Sequence, residues 1–175
     1  MAVTLKGPGT MEVHLVGGSN PINSIVLTGT DASSSLTIQV KKALTGDGLV
    51  RIGSIVSDGS LKSIAGKTVN LTGAGIQLEG SLGSVILHAM LHSALTVAGP
   101  IKVVNVGTFD ASNARAMKVG SVKLGTVSNK DGSPAFGIHV QQPGGTLSVG
   151  SPRMRGKITT STDLSVDNFH VVVGQ

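Results

Sequence analysis

A glycine-led hexamer that returns at near-constant spacing constrains this 175-residue chain more than any other feature. Gly59-Ser-Leu-Lys-Ser-Ile64 comes back as Gly80-Ser-Leu-Gly-Ser-Val85, Gly99-Pro-Ile-Lys-Val-Val104 and Gly120-Ser-Val-Lys-Leu-Gly125, and more loosely as Gly145-Thr-Leu-Ser-Val-Gly150. The copies start 21, 19, 21 and 25 residues apart. A second short alternating run precedes the later copies: Ile76-Gln-Leu78, Leu95-Thr-Val97, Met117-Lys-Val119 and Ile138-His-Val140. Upstream, Asn20-Pro-Ile-Asn-Ser-Ile25 resembles the hexamer and Leu36-Thr-Ile-Gln-Val40 the second run. Self-similarity at such a period marks a unit that cannot bury its apolar face alone and must stack on its neighbours.

Two or three short strands per repeat, each punctuated by Gly or Ser, match one coil of a parallel β-solenoid. Stacking coils about 4.8 Å apart pairs each backbone ladder with the coils above and below. Equivalent positions then fall into columns, so Leu61, Leu82, Ile101, Val122 and Leu147 are expected to form one interior stack. Ile64, Val85 and Val104 are expected to form a second. Glycine at each hexamer start supplies a corner, where a side chain clashes or φ is positive. Composition agrees: 25 Gly, three Phe and no Tyr, Trp or Cys leave Val, Ile, Leu and Ala to fill a narrow, regular interior. The expected fold is therefore all-β, a single-stranded right-handed parallel β-helix of about eight coils of about 20 residues, its hand following the usual crossover rule.

One domain spans residues 1–175. Residues 1–45 are read as an N-terminal cap with the first coils, 46–150 as regular coils and 151–175 as a C-terminal cap. Irregular ends are expected because exposed strand edges need covering, and Phe169 is expected to plug the last coil. The segment Lys130-Asp-Gly-Ser-Pro134 lengthens the fourth coil, and insertions in solenoids leave as loops at one corner.

Several motifs suggest chemistry. Gly66-Lys67-Thr68 ends like a phosphate-binding loop, but the glycine that should stand five residues before Gly66 is Leu61. The segment reads as one strand and the next corner. His88 and His92 lack the intervening Glu of a zinc-protease helix, and a solenoid sets them about a corner. His14 and His139 alternate outward as solvent-facing strand residues. The carboxylates are scattered, and Asp47-Gly48, Asp58-Gly59 and Asp131-Gly132 are turn chemistry first. Without Tyr or Trp, sugar stacking and base stacking both lack a platform. These features argue against an enzyme, call for no cofactor or metal, and disfavour nucleic acid as a partner.

The net charge of +5 comes from 14 basic and nine acidic residues. The hexamer's fourth position reads Lys62, Gly83, Lys102, Lys123 and Ser148, and it points outward. Lys102 and Lys123 are thus expected on successive coils, with Lys118 on the preceding strand. Lys62, Lys102, Lys118 and Lys123 would form an anion-binding ridge, since like charges so close favour an anionic partner.

The run from GDGLVRIGSIVSDGSLKSIAGKTVNLTG through GSVILH to VGSVKLGTVSNKDGSPAFGIHV resembles the repetitive β-solenoid modules of large exported and surface proteins of planctomycete-type bacteria. The resemblance implies a non-enzymatic structural or binding module, extracellular or at the cell surface, meeting an anionic polymer or a cell-envelope component. The opening MAVTLKGPGT has no apolar stretch typical of a signal peptide, and no 18-residue apolar run predicts a membrane span. One alternative is a self-assembling cytoplasmic filament of the bactofilin kind, a homo-oligomer through its terminal coils. A polysaccharide-active β-helix is the other.

Overall fold

A computed structural model describes residues 1–16, 22–42, 46–129, 136–159, 162–163 and 168–174. Among these residues the secondary structure is all strand. The chain opens with β1 (Ala2–Lys6), β2 (Thr10–Leu15), β3 (Ile22–Thr28), β4 (Ser35–Gln39) and β5 (Val50–Ser57). Then come β6 (Leu61–Leu78), β7 (Leu82–Leu91), β8 (Ala94–Val97), β9 (Ile101–Asp110) and β10 (Asn113–Ala116). It closes with β11 (Val119–Ser128), β12 (Phe136–Val140), β13 (Thr146–Ser151), β14 (Met154–Lys157), β15 (Thr162–Asp163) and β16 (Phe169–Val173).

The parallel pairings resolve into three ladders, each extended by one rung per coil. The first runs β4, β6, β7, β9, β11 and β13. The second uses Ile22, Ile52 and Leu71, then the C-terminal halves of β7, β9 and β11. The third joins the ends of β3, β5 and β6 to β8, β10, β12 and β16. The molecule is a β-solenoid of about five turns, with coils of about 21 residues.

Five turns replace the eight expected because both ends leave the coil repeat. At the start, β1 pairs antiparallel with β4 and β2 with β3. At the finish, β14 pairs antiparallel with β13 and β15 with β16. The reversals lay a strand of opposite direction over each end, where a further coil would otherwise add. Phe169 is fully buried at the C-terminal end, as its expected plugging role requires. It meets Phe136 edge-on at 5.5 Å and Phe109 at 6.1 Å between ring centroids.

The core is a set of side-chain columns. One runs Leu36, Ile64, Val85, Val104, Val122, Leu147. Another runs Ile25, Ile55, Ile76, Leu95, Ala114, Ile138, Val171. All these residues are buried, and each large aliphatic side chain contributes about 1.5–3 kcal/mol when removed from water. The column narrows at Ala114, on the strand that directly follows Phe109, which stacks on Phe136 of the next coil at 6.3 Å.

One expected column is corrected. Leu61, Leu82 and Ile101 do stack, but the next rung is Val119 rather than Val122. Val122 and Leu147 belong instead to the column of Ile64, Val85 and Val104. The reason is that Ile101 and Val119 are 18 residues apart, so this coil is three residues shorter than the glycine spacing suggests. Aligning the apolar positions wins over aligning the glycines, because only the former fills the interior.

Glycine acts chiefly by allowing coils to approach. A Cβ on Gly120 would stand 2.6 Å from the Lys102 carbonyl oxygen of the coil before, although its φ is not positive. Gly75 needs both allowances: its φ is +88°, and a Cβ there would collide with the Ala94 carbonyl oxygen. The Gly66-Lys67-Thr68 segment lies inside β6 at a register break between Gly66 and Asn70, with no loop-to-helix junction.

Candidate functional site

The four lysines of the expected ridge are all exposed. Lys118 lies on the coil next to Lys102, its carbonyl accepting the Ile101 N–H at 2.8 Å, but Lys102 and Lys123 do not share a rung. Ile101 pairs with Val119 and Val103 with Ser121, which places Gly120 beside Lys102. Lys123 instead stands opposite Asn105 on one side and Ser148 on the other. Lys62 and Lys102 are two coils apart with Gly83 between, roughly 9–10 Å at the usual strand spacing and near one screening length in physiological salt. Lys118 lies over Gly144, whose Cβ would be 3.3 Å from its Nζ. The three-residue register offset is the physical reason that Lys123 faces Asn105 rather than Lys102. Asp131, Gly132 and the rest of the fourth-coil insertion lie outside the described residues.

Other candidates resolve into scaffold. The Asp58 carboxylate accepts the Gly29 N–H at 2.8 and 3.0 Å, tying coils together across 29 residues of sequence. Asp47 accepts the Leu49 N–H at 2.8 Å, a local turn bond. Asp31 accepts the Ser33 N–H and hydroxyl, both at 2.7 Å, and these bonds hold its carboxyl below the ordinary value. Asp110 is buried and accepts the Ser128 hydroxyl at 2.6 Å. His88 is exposed on β7 and His92 exposed at the following corner, with φ +50°. No group of three His, Cys, Asp or Glu among the described residues could hold a metal. His14 is exposed and lies 3.6 Å from Glu12.

His139 turns away from the apolar face as expected, but it is half-buried rather than fully exposed to solvent. The third ladder aligns Gln77, Thr96, Arg115 and His139 as one row. Alternation puts this row outward, since its neighbours Leu95, Val97, Ala114, Ala116, Ile138 and Val140 are buried. Gln77, Thr96 and Arg115 are exposed, whereas His139 is half-buried. The Asn113 Oδ1 accepts the Gly137 N–H at 3.1 Å and lies 3.3 Å from His139 Nε2. The row borders a cleft of about 380 Å³ whose wall includes Thr96, Arg115, Met117, His139 and Gln141.

Among the described residues, Arg115 and His139 are the charged or titratable groups on the wall of this cleft. Burial is the main cause that holds the His139 imidazole below its ordinary value; the Arg115 guanidinium and then His170 add to it. Arg115 has no ion pair among the described residues. In the neighbouring strand, β16 places His170 opposite Gly137, and β15 places Asp163 opposite His170 in register.

Sequence reasoning missed Asn113, Arg115 and His170 because β10, which carries the first two, and β16, which carries the third, are far apart in the chain and meet only through β12. A signal existed in the second alternating run: its middle positions read Gln77, Thr96, Lys118 and His139, but the copy Met117-Lys-Val119 is out of register with the others. The true rung is Ala114-Arg-Ala116, too weakly apolar to stand out. Set beside known proteins, the chain matches no family model, no curated protein and no solved structure.

Proposed function

We propose that this chain is a non-enzymatic binding module that works as a stiff support for a lateral recognition face, within a bacterial surface or secreted protein. The observation that carries this reading is the register of the third ladder, which lines up Gln77, Thr96, Arg115 and His139 on one outward row. A row held by consecutive backbone ladders over a closed aliphatic core has little freedom to rearrange. Rigid elements of this kind present binding groups more accurately than loops. The carboxylates at Asp58 and Asp110 are occupied by backbone and hydroxyl donors, which suits support better than acid–base work.

A second reading, end-to-end self-assembly into a filament, draws on the N-terminal cap. There Leu15 is 63% exposed and Val16 48%, beside edge strand β2, which pairs only with β3 among the described residues. An open edge with apolar neighbours can accept another strand. Size-exclusion chromatography with light scattering, followed by negative-stain imaging, separates the two. The binding-module reading expects a discrete particle, and open-ended fibres would replace it with the filament.

A further inference from the structure

We propose that the cleft beside Arg115 and His139 is a proton-linked site for the acidic groups of a carboxylated or sulfated polysaccharide lying along the third ladder. The proposal rests on the lateral-face reading above and gives that face its ligand. Three features support it.

Arg115 offers a guanidinium fork at the surface without an acidic partner among the described residues. Such a fork matches a carboxylate or sulfate through two parallel hydrogen bonds. Around it stand neutral groups that can meet hydroxyls: Thr96, Gln77 and Gln141.

The second feature is the state of His139. Asn113 Oδ1 already accepts the Gly137 N–H, which identifies that atom as the oxygen, so the imidazole must donate to it from Nε2. Nδ1 is then the nitrogen that is free of a proton in the neutral ring. Placing an anion in the cleft offsets the positive charge of Arg115 on β10, which stands opposite the ring, while His170 of β16 lies across the ladder opposite Gly137. The ring then takes up a proton at Nδ1 and becomes a second cation beside the ligand. On the far side of β16, Asp163 of β15 is opposite His170 in register.

The third feature concerns ligand class. The third ladder is interior to the stack, with strand edges already paired from coil to coil, so a peptide cannot add as a strand there. All three Phe are buried against one another, leaving no aromatic platform for bases. A hydroxyl-rich anionic chain fits the exposed row better than either.

The test is calorimetric titration of the full chain with oligogalacturonate and with heparin oligosaccharide, alongside polyglutamate and a single-stranded oligonucleotide, at pH 7.5 and 5.5. Binding of a saccharide is expected, tightening by up to about tenfold per pH unit once one proton is taken up on binding. Arg115→Gln is expected to weaken it by about tenfold or more, the worth of a charge-assisted pair. Thr96→Glu, which puts a carboxylate next to Arg115, should do the same, whereas Lys62→Gln should leave it nearly unchanged. His139→Gln should abolish the pH dependence. Equal losses in Lys62→Gln and Arg115→Gln would mean diffuse charge attraction and overturn the site. Tighter binding of polyglutamate or of the oligonucleotide would overturn the ligand class. A discrete particle that binds none of the probes sinks this proposal alone, whereas fibres sink the lateral-face reading with it.

Discussion

Arg115 and His139 stand opposite one another on the adjacent parallel strands β10 and β12, both on the outward face, although 24 residues separate them in the chain. The pair exists because Ala114 and Ile138 are stacked in the core immediately beneath. Interior packing therefore sets the spacing of the surface charges.

The position of His139 gives stability a pH dependence. Its folded-state pKa lies below the ordinary value near 6.5, so the unfolded chain takes up a proton first as pH falls. The contribution is fully present above the unfolded value and is lost as pH drops toward the folded one. Denaturant midpoints measured from pH 7.5 to 5 should fall less steeply in His139→Gln than in the parent chain, and equal slopes would refute the assignment. By NMR titration, Arg115→Gln should move the His139 midpoint upward.

Gly75→Ala should be strongly destabilising, by about 2–4 kcal/mol. The new Cβ meets the Ala94 carbonyl oxygen of the next coil and also requires φ near +88°. Chemical denaturation would show it. Gly156→Ala is the control, since a Cβ there meets nothing within 4 Å, and it should change stability by no more than about 0.5 kcal/mol.

Two buried serines should behave in opposite ways. The Ser112 hydroxyl donates to the Asp110 carbonyl at 2.8 Å and accepts the Ser93 N–H at 3.2 Å. Ser112→Ala leaves that buried donor unsatisfied and is expected to cost about 1–3 kcal/mol. The Ser93 hydroxyl oxygen is buried without a hydrogen-bond partner, so Ser93→Ala should be neutral or stabilising. Thermal unfolding of the two variants side by side decides the matter.

Phe109→Ala should cost about 3–5 kcal/mol, the range for a large buried ring. Phe109 touches both Phe136 and Phe169, which are contributed by the two last rungs of the third ladder. Its loss should therefore raise hydrogen exchange in β12 and β16 more than in β6. Uniform exchange across the solenoid would contradict this local role.

Much of the architecture is readable from apolar spacing alone. The recurrence of Leu61, Leu82 and Ile101 with Ser63 and Ser84 between them dictates parallel stacking, and the pairing of those residues follows it. The glycine of the hexamer is a poor register mark, which is why Lys102 and Lys123 do not meet across the ladder. Glycine at a corner records only that two backbones approach, as Gly120 and Lys102 do, and that condition tolerates a shift of a few residues. The apolar column does not, since a slipped Val122 would leave the interior unfilled.

The sequence by itself determined the fold class, the average coil length and the outward or inward sense of most strand residues, because each follows from local alternation and from a repeat that buries nothing alone. Tertiary structure alone decided which outward residues meet. Asn113, Arg115, His139 and His170 come from three coils of unequal length, and their encounter depends on where each coil gains or loses residues. That is settled only when the interior columns close.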